Sequence, residues 1–171
     1  MKRIPLIIDT DPGIDDAVAI ALALYSDDID VRLITTVSGN VGIEATTTNA
    51  LKLLAYFGKD VPVARGASEP LIRAAQDASD IHGATGMEGF DFPEPKRELL
   101  MERNAIDAMR DVLMKSEEPI TIMPIGPLTN IALLLKAYPE VKARIERIVL
   151  MGGSVTRGNK GVMAEFNIYV D

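Results

Sequence analysis

The sequence contains no cysteine, which excludes disulfide bonds and thiolate metal sites. It has no cluster of Lys and Arg, and its formal net charge is -7. Nucleic acids and anionic membranes bind concentrated positive charge, so we expect neither as a partner. No segment approaches the ~18 apolar residues that span a bilayer, and only a short apolar run precedes Asp9. We therefore expect no secretory signal and a cytoplasmic location.

Apolar, strand-like segments alternate with helix-like segments along the 171 residues. The strand-like segments are apolar on both faces, which is typical of a mainly parallel sheet flanked by helices on both faces. A stretch rich in Gly, Pro and Asp, from Ala67 to about Arg103, interrupts the pattern and indicates a long functional or mobile loop. We predict one α/β domain over residues 1–171. The predicted strands are 3–9, 31–40, 61–66, 119–126 and 144–153, and the predicted helices are 15–26, 43–58, 104–116 and 128–138.

The stretch DTDPGIDDAVAI, residues 9–20, places four carboxylates where the first predicted strand passes into the first helix. The other predicted strands also lead into oxygen-bearing residues, and a parallel sheet would gather them at one edge. Hard cations such as Ca²⁺ and Mg²⁺ take such ligands, and a polyhydroxyl substrate needs many donors and acceptors. The candidates are Asp9, Asp11, Asp15, Asp16, Ser38, Asn40, Thr129, Asn130, Asn159, Glu165 and Asn167.

Crowded carboxylates repel one another unless a positive charge neutralises them. A bound divalent ion would do so, and it would also lower the pKa of a coordinated water to give a nucleophile near neutral pH. Asp11 is a candidate both to hold such an ion and to accept a proton from that water.

Helix capping is a simpler interpretation of part of this pattern. Either Asp15 or Asp16 could cap the first helix, and we expect Thr129 and Asn130 to cap the helix after the fourth strand. Capping does not account for the two acids that end the first apolar strand.

The Asp9-x-Asp11 pair also resembles the nucleophile motif of haloacid-dehalogenase-type phosphatases. That motif has Thr or Val two residues after its second Asp, where this sequence has Gly13. A phosphatase is therefore a weaker alternative.

Six motifs together resemble the inosine-uridine preferring nucleoside hydrolases, in order and at family-like spacing across the whole chain. The resemblance is closest to the bacterial ribonucleoside hydrolases of broad purine and pyrimidine range. The motifs are DTDPGIDDAVAI at 9–20, TTVSGN at 35–40, IHGATGM at 81–87, PIGPLTNIA at 124–132, IVLMGG at 148–153 and AEFNIYVD at 164–171.

The resemblance implies hydrolysis of the N-glycosidic bond of ribonucleosides to free base and ribose by a water bound to one Ca²⁺. It implies a nucleoside substrate, a Rossmann-like nucleoside hydrolase fold and a homo-oligomer, either dimer or tetramer. The implied catalytic residues are Asp11, Asn40 and His82, and the implied metal ligands are Asp11, Asp16 and the backbone carbonyl of Ile125. The implied substrate-binding residues are Asp15, Met151, Asn159, Glu165 and Asn167, and Asp9 would support the carboxylates.

The resemblance also implies that members of the family continue beyond the position of Asp171. That continuation carries a His-Asp pair, whose Asp is a metal ligand, and part of the base pocket. The chain is therefore expected to be the front part of a longer enzyme, a truncated product with weakened or absent activity, or one partner of a second chain. A non-catalytic nucleoside- or sugar-binding protein on the same scaffold is a further alternative.

Overall fold

The computed structural model describes residues 2–76, 83 and 85–171, and five strands in them form one parallel sheet in the order β3-β2-β1-β4-β5. The strands are β1 (Ile4–Thr10), β2 (Ile29–Thr36), β3 (Val63–Arg65), β4 (Ile120–Pro124) and β5 (Ile145–Ile148). The helices are α1 (Ile14–Tyr25), α2 (Ile43–Phe57), α3 (Ala105–Lys115), α4 (Thr129–Ala137) and α5 (Phe166–Val170). Two 3-10 helices span Arg97–Leu99 and Pro139–Arg144.

The central strand β1 is apolar on both faces because both faces are covered. Leu6 and Ile8 pack in one core with Ile20 of α1 and with residues of α2. Ile7 packs in a second core with Met109 of α3 and with residues of α4. Each fully buried aliphatic side chain contributes about 1.5–3 kcal/mol. The predicted parallel sheet with helices on both faces is thus confirmed.

Short local signals set the helix ends. The backbone N–H of Gly13 donates to Asp16 at 3.0 Å at the start of α1, so one of the two suggested caps is present. Helix α2 ends at Gly58, whose φ of 62° lies in the left-handed region that glycine adopts without strain. The side chain of Asn104 accepts the backbone N–H of Asp107 at 3.0 Å at the start of α3.

The expectation that Thr129 and Asn130 cap α4 is wrong. Leu128 occupies the capping position, and no side chain caps this helix. The Thr129 hydroxyl instead donates to the Asp171 carboxylate at 2.6 Å, and the Asn130 amide points to Asp9. The side chains of Thr129 and Asn130 therefore bond to residues distant in sequence and not to the N-terminus of their own helix.

Several predicted segments differ from the observed ones in extent. The second strand was expected over residues 31–40, but β2 spans Ile29–Thr36. The fifth strand was expected over residues 144–153, but β5 ends at Ile148. The irregular stretch after Ala67 contains the 3-10 helix Arg97–Leu99 and an isolated bridge between Val63 and Leu100. Within the part of the chain that is described, no helix is long and apolar enough to cross a membrane. The interpretation of residues 1–171 as one incomplete domain stays a prediction.

Candidate active site

The strand order positions a cleft at the carboxyl end of β1. This strand has β2 on one side and β4 on the other, so the loops that follow β1 and β4 diverge at a topological switch point. A cleft with about 560 Å³ of empty space lies there. Its lining consists of Asp11, Asp15, Asp16, Asn40, Ile125, Met151, Asn159, Lys160, Phe166 and Asn167.

Asp11 lies at the bottom of the cleft and is 1% exposed. The backbone N–H of Asn40 donates to its Oδ2 at 2.7 Å, and the Asn40 side chain donates to its backbone carbonyl at 3.0 Å. A Cβ atom added at Gly126 would lie 2.7 Å from Asp11 Oδ1, and one at Gly39 would overlap Oδ2. Two glycines therefore make room for this carboxylate.

The Oδ1 atom of Asp11 is buried and has no hydrogen-bond partner among the described residues. Burial, followed by the nearby charge of Asp16, holds the pKa of Asp11 well above its usual range. Asp16 itself is 5% exposed and accepts the Thr10 hydroxyl at 2.6 Å. The two carboxylates thus lie close together where water screens them poorly.

Asp9 lies behind the cleft and does not line it. It is fully buried, and its Oδ1 accepts the Thr35 hydroxyl and, at 2.8 Å, the Asn130 side-chain amide. Burial raises the pKa of Asp9 to about 7, although both hydrogen bonds lower it. This placement agrees with the expected supporting position.

The opposite wall of the cleft comes from the segment before α5 and from α5 itself. The side-chain amide of Asn167 donates to the backbone carbonyls of Ile125 at 2.7 Å and Met151 at 3.2 Å. The Asn159 side chain accepts the N–H of Phe166 at 2.8 Å, and Glu165 accepts the N–H of Asn159 at 3.1 Å. These contacts tie the three chain segments that form the wall.

The donor set around Asp11 suits a hard cation. Asp11, Asp16 and Ile125 all line the cleft, and the buried, unpartnered Oδ1 atom of Asp11 can only accept when ionised. A carbonyl has two lone pairs, so the Asn167 contact leaves the Ile125 oxygen one for a cation. No group of three or more His, Cys, Asp or Glu side chains that could hold a metal occurs in the described residues. Carboxylate and carbonyl oxygens are nevertheless the ligand types that Ca²⁺ and Mg²⁺ take, and the unpartnered Oδ1 atom of Asp11 is the one observation that suits such an ion.

Most of the site residues that the family resemblance implies line this cleft, with three exceptions. Asp9 lies behind it, and Glu165 reaches it only through its contact with Asn159. His82 lies outside the described residues. The sequence did not suggest Lys160 or Phe166 as lining residues. Phe166 belonged to the noted AEFNIYVD motif, whereas Lys160 carried no signal beyond its position after Asn159.

The fold and the site define an open α/β protein with an acidic cleft at the switch point of its parallel sheet. A family model described as inosine-uridine preferring nucleoside hydrolase matches residues 6–171. This chain belongs to that family.

The relatives and solved structures agree with this assignment. The non-specific ribonucleoside hydrolase RihC of Klebsiella pneumoniae is 57% identical over 169 residues, which cover 99% of this chain and 55% of that protein. RihC of Escherichia fergusonii is 54% identical over 169 residues, which again cover 99% of this chain and 55% of that protein. A purine-preferring ribonucleoside hydrolase from Gardnerella vaginalis has a TM-score of 0.91 and 35% identity, covering 98% of this chain and 54% of that one. The chain thus spans about half the length of the relatives it matches.

Proposed function

We propose that this protein hydrolyses the N-glycosidic bond of ribonucleosides, releasing a free base and ribose. The observation that carries the proposal is the buried Asp11 carboxylate, with one oxygen unpartnered among the described residues, in a cleft whose lining is rich in Asp and Asn. The family membership and the names of the relatives support the same chemistry.

The residues that line the cleft have two roles, which are to bind the ribose and to orient Asp11. Asp15, Asn159 and Asn167 line the cleft and bind ribose hydroxyls, with Glu165 beside Asn159 and Met151 packing against the sugar. Fixing the ribose holds C1′ against the attacking water, which removes much of the entropic part of the barrier. Asn40 holds Asp11 through two hydrogen bonds, so the carboxylate stays aimed at that water.

The bond changes balance at C1′. A water oxygen bonds to C1′ while the C1′–N bond breaks. The electron pair of the broken C1′–N bond leaves with the base. Asp11 takes one proton of the water, and the leaving nitrogen of the base takes a proton from solvent before or as the base departs. Positive charge develops on the ribose in the transition state, and the carboxylates in the cleft stabilise it.

Asp11, Asp16 and the carbonyl of Ile125 are the residues that would hold a divalent cation, which we propose is Ca²⁺. When bound, this cation would neutralise the carboxylates and lower the pKa of a nearby water.

The first test is ribose release from inosine and uridine, with and without a chelator. We expect release by the wild-type protein and at least a 1,000-fold loss in Asp11→Ala with the fold intact by circular dichroism, because general base and electrostatic contributions both disappear. Full activity in Asp11→Ala would exclude this residue as the base. Ligand-induced thermal stabilisation without product would instead indicate a binding protein, which the half-length match to relatives keeps as the second candidate.

The phosphatase alternative gains nothing from the geometry. Its nucleophile would be Asp9, which is fully buried and does not line the cleft. Its Oδ1 atom accepts both the Thr35 hydroxyl and the Asn130 side-chain amide.

A further inference from the structure

One buried amide joins two segments that are distant in sequence. Asn49 lies on α2 and is 4% exposed. Its Nδ2 atom donates to the backbone carbonyl of Pro12 at 3.0 Å and to that of Thr85 at 2.8 Å. Pro12 directly follows Asp11, so this amide connects the turn that carries the candidate base to the segment around Thr85.

The segment fits closely at this junction. Gly86 has a φ of +83°, and a Cβ atom there would lie 3.0 Å from Val41 Cγ2, 3.1 Å from Asn49 Nδ2 and 3.5 Å from the Pro12 carbonyl. Its neighbour Met87 is buried in the core formed with α1 and α2. The backbone of the segment therefore packs directly on the Asp11–Pro12–Gly13 turn.

Only a side chain with two N–H bonds on one atom can serve both carbonyls. The primary amide of Asn has them, whereas a carboxylate or an apolar side chain of the same size has none. Removing the amide would leave the carbonyl of the buried residue Pro12 without this donor, and the carbonyl of the exposed residue Thr85 would bond to water instead.

We propose that Asn49 is a positioning residue for the hydrolysis, acting through Pro12 on Asp11 and fixing residues 85–92 against the same turn. The expected fall in turnover rests on the proposed function. The expected loosening of the turn and of residues 85–92 rests only on the two hydrogen bonds. A misplacement of about 1 Å is enough to lower a rate by about 100-fold, so loss of the amide reduces turnover without removing any group that touches the substrate.

The test compares Asn49→Leu and Asn49→Gln with Thr48→Ala as the matched control. The Thr48 hydroxyl donates to the backbone carbonyl of Glu44 within the same helix, at 2.8 Å. Hydrogen exchange followed by mass spectrometry reports on residues 10–17 and 85–92, with the α3 peptide as an internal reference. Steady-state kinetics with inosine separate kcat from KM.

We expect Asn49→Leu to speed exchange about 10-fold in both peptides, to leave α3 unchanged and to lower kcat at least 10-fold with little change in KM. Asn49→Gln keeps the amide on a longer side chain, so its exchange rates and kcat should lie between those of wild type and Asn49→Leu. If Asn49→Leu does not fold, Asn49→Gln replaces it in both measurements. Unchanged exchange in both peptides, or equal acceleration throughout the chain, overturns the inference. If the wild-type protein releases no ribose, the proposed function fails, and exchange alone decides the role of Asn49.

Discussion

At the scale of single residues, the space around Asp11 is as informative as its hydrogen bonds. Gly39 and Gly126 both face the carboxylate, and neither has a positive φ. Their lack of a side chain is therefore required by close approach and not by backbone conformation. A small change at either glycine tests whether the position of Asp11 matters.

Gly39→Ala should lower kcat/KM for inosine by about 100-fold, because the new methyl group overlaps Asp11 Oδ2 and displaces the carboxylate. Gly42→Ala is the matched control, since a Cβ there meets nothing within 4 Å. Steady-state kinetics and thermal unfolding of both variants give the comparison. Equal activity in the two variants would show that the carboxylate position is not critical.

Asn130 shows what the sequence could not reveal at this scale. Its place after β4 suggested a helix cap, but its amide donates to Asp9 Oδ1 at 2.8 Å and to the Thr36 carbonyl at 2.9 Å. These partners lie 121 and 94 residues away in sequence. Capping preferences depend only on the residues near a helix end, so they cannot predict a hydrogen bond between residues this far apart in sequence.

At the scale of secondary-structure elements, the parallel sheet and its helices followed from hydrophobic patterning. Alternation of apolar strands with helices predicted β1, β2, β4 and their parallel arrangement, because burial on both faces leaves a strong signal. The end of β5 was not predictable in the same way. It is an edge strand, and residues after Ile148 stay apolar although Val149 and Leu150 are about half exposed.

The packing of α3 against the end of α4 contains a contact that depends on pH. The Tyr138 hydroxyl donates to Asp107 at 2.6 Å, and Asn104 donates to the other carboxylate oxygen at 2.9 Å. These bonds lower the pKa of Asp107 from its ordinary value of 3.8, and the bond to Asp107 raises the pKa of Tyr138 above 10.0. The native state therefore binds fewer protons than the unfolded state as Asp107 titrates.

Tyr138→Phe should lower the free energy of unfolding most between about pH 5 and 9, because both groups are in their bonded forms there. The difference from wild type should shrink as the pH falls through the lowered pKa of Asp107. It should also shrink as the pH rises through the raised pKa of Tyr138. Urea unfolding at several pH values measures it. A difference that stays constant from pH 2 to pH 9 would mean that the hydrogen bond contributes nothing.

At the scale of the whole molecule, the chain spans about half the length of the relatives it matches. Three carboxylates line the described cleft, those of Asp11, Asp15 and Asp16. That a further carboxylate ligand lies beyond the position of Asp171 stays a prediction from the family resemblance. The net charge of -7 is consistent with a cation-binding protein. The dimer or tetramer, the cytoplasmic location and the identity of the metal stay predictions.

Calorimetric titration of the purified protein with Ca²⁺ measures whether Asp11 holds a cation. We expect one bound Ca²⁺ per chain for wild type, loss of that binding in Asp11→Asn, and unchanged binding in Asp27→Asn, which removes an equal charge from an exposed position. Bound Ca²⁺ should also stabilise the fold by about 2.7 kcal/mol at 100 times its Kd. Absence of binding in the folded wild-type protein, or equal binding in Asp11→Asn, would contradict the account.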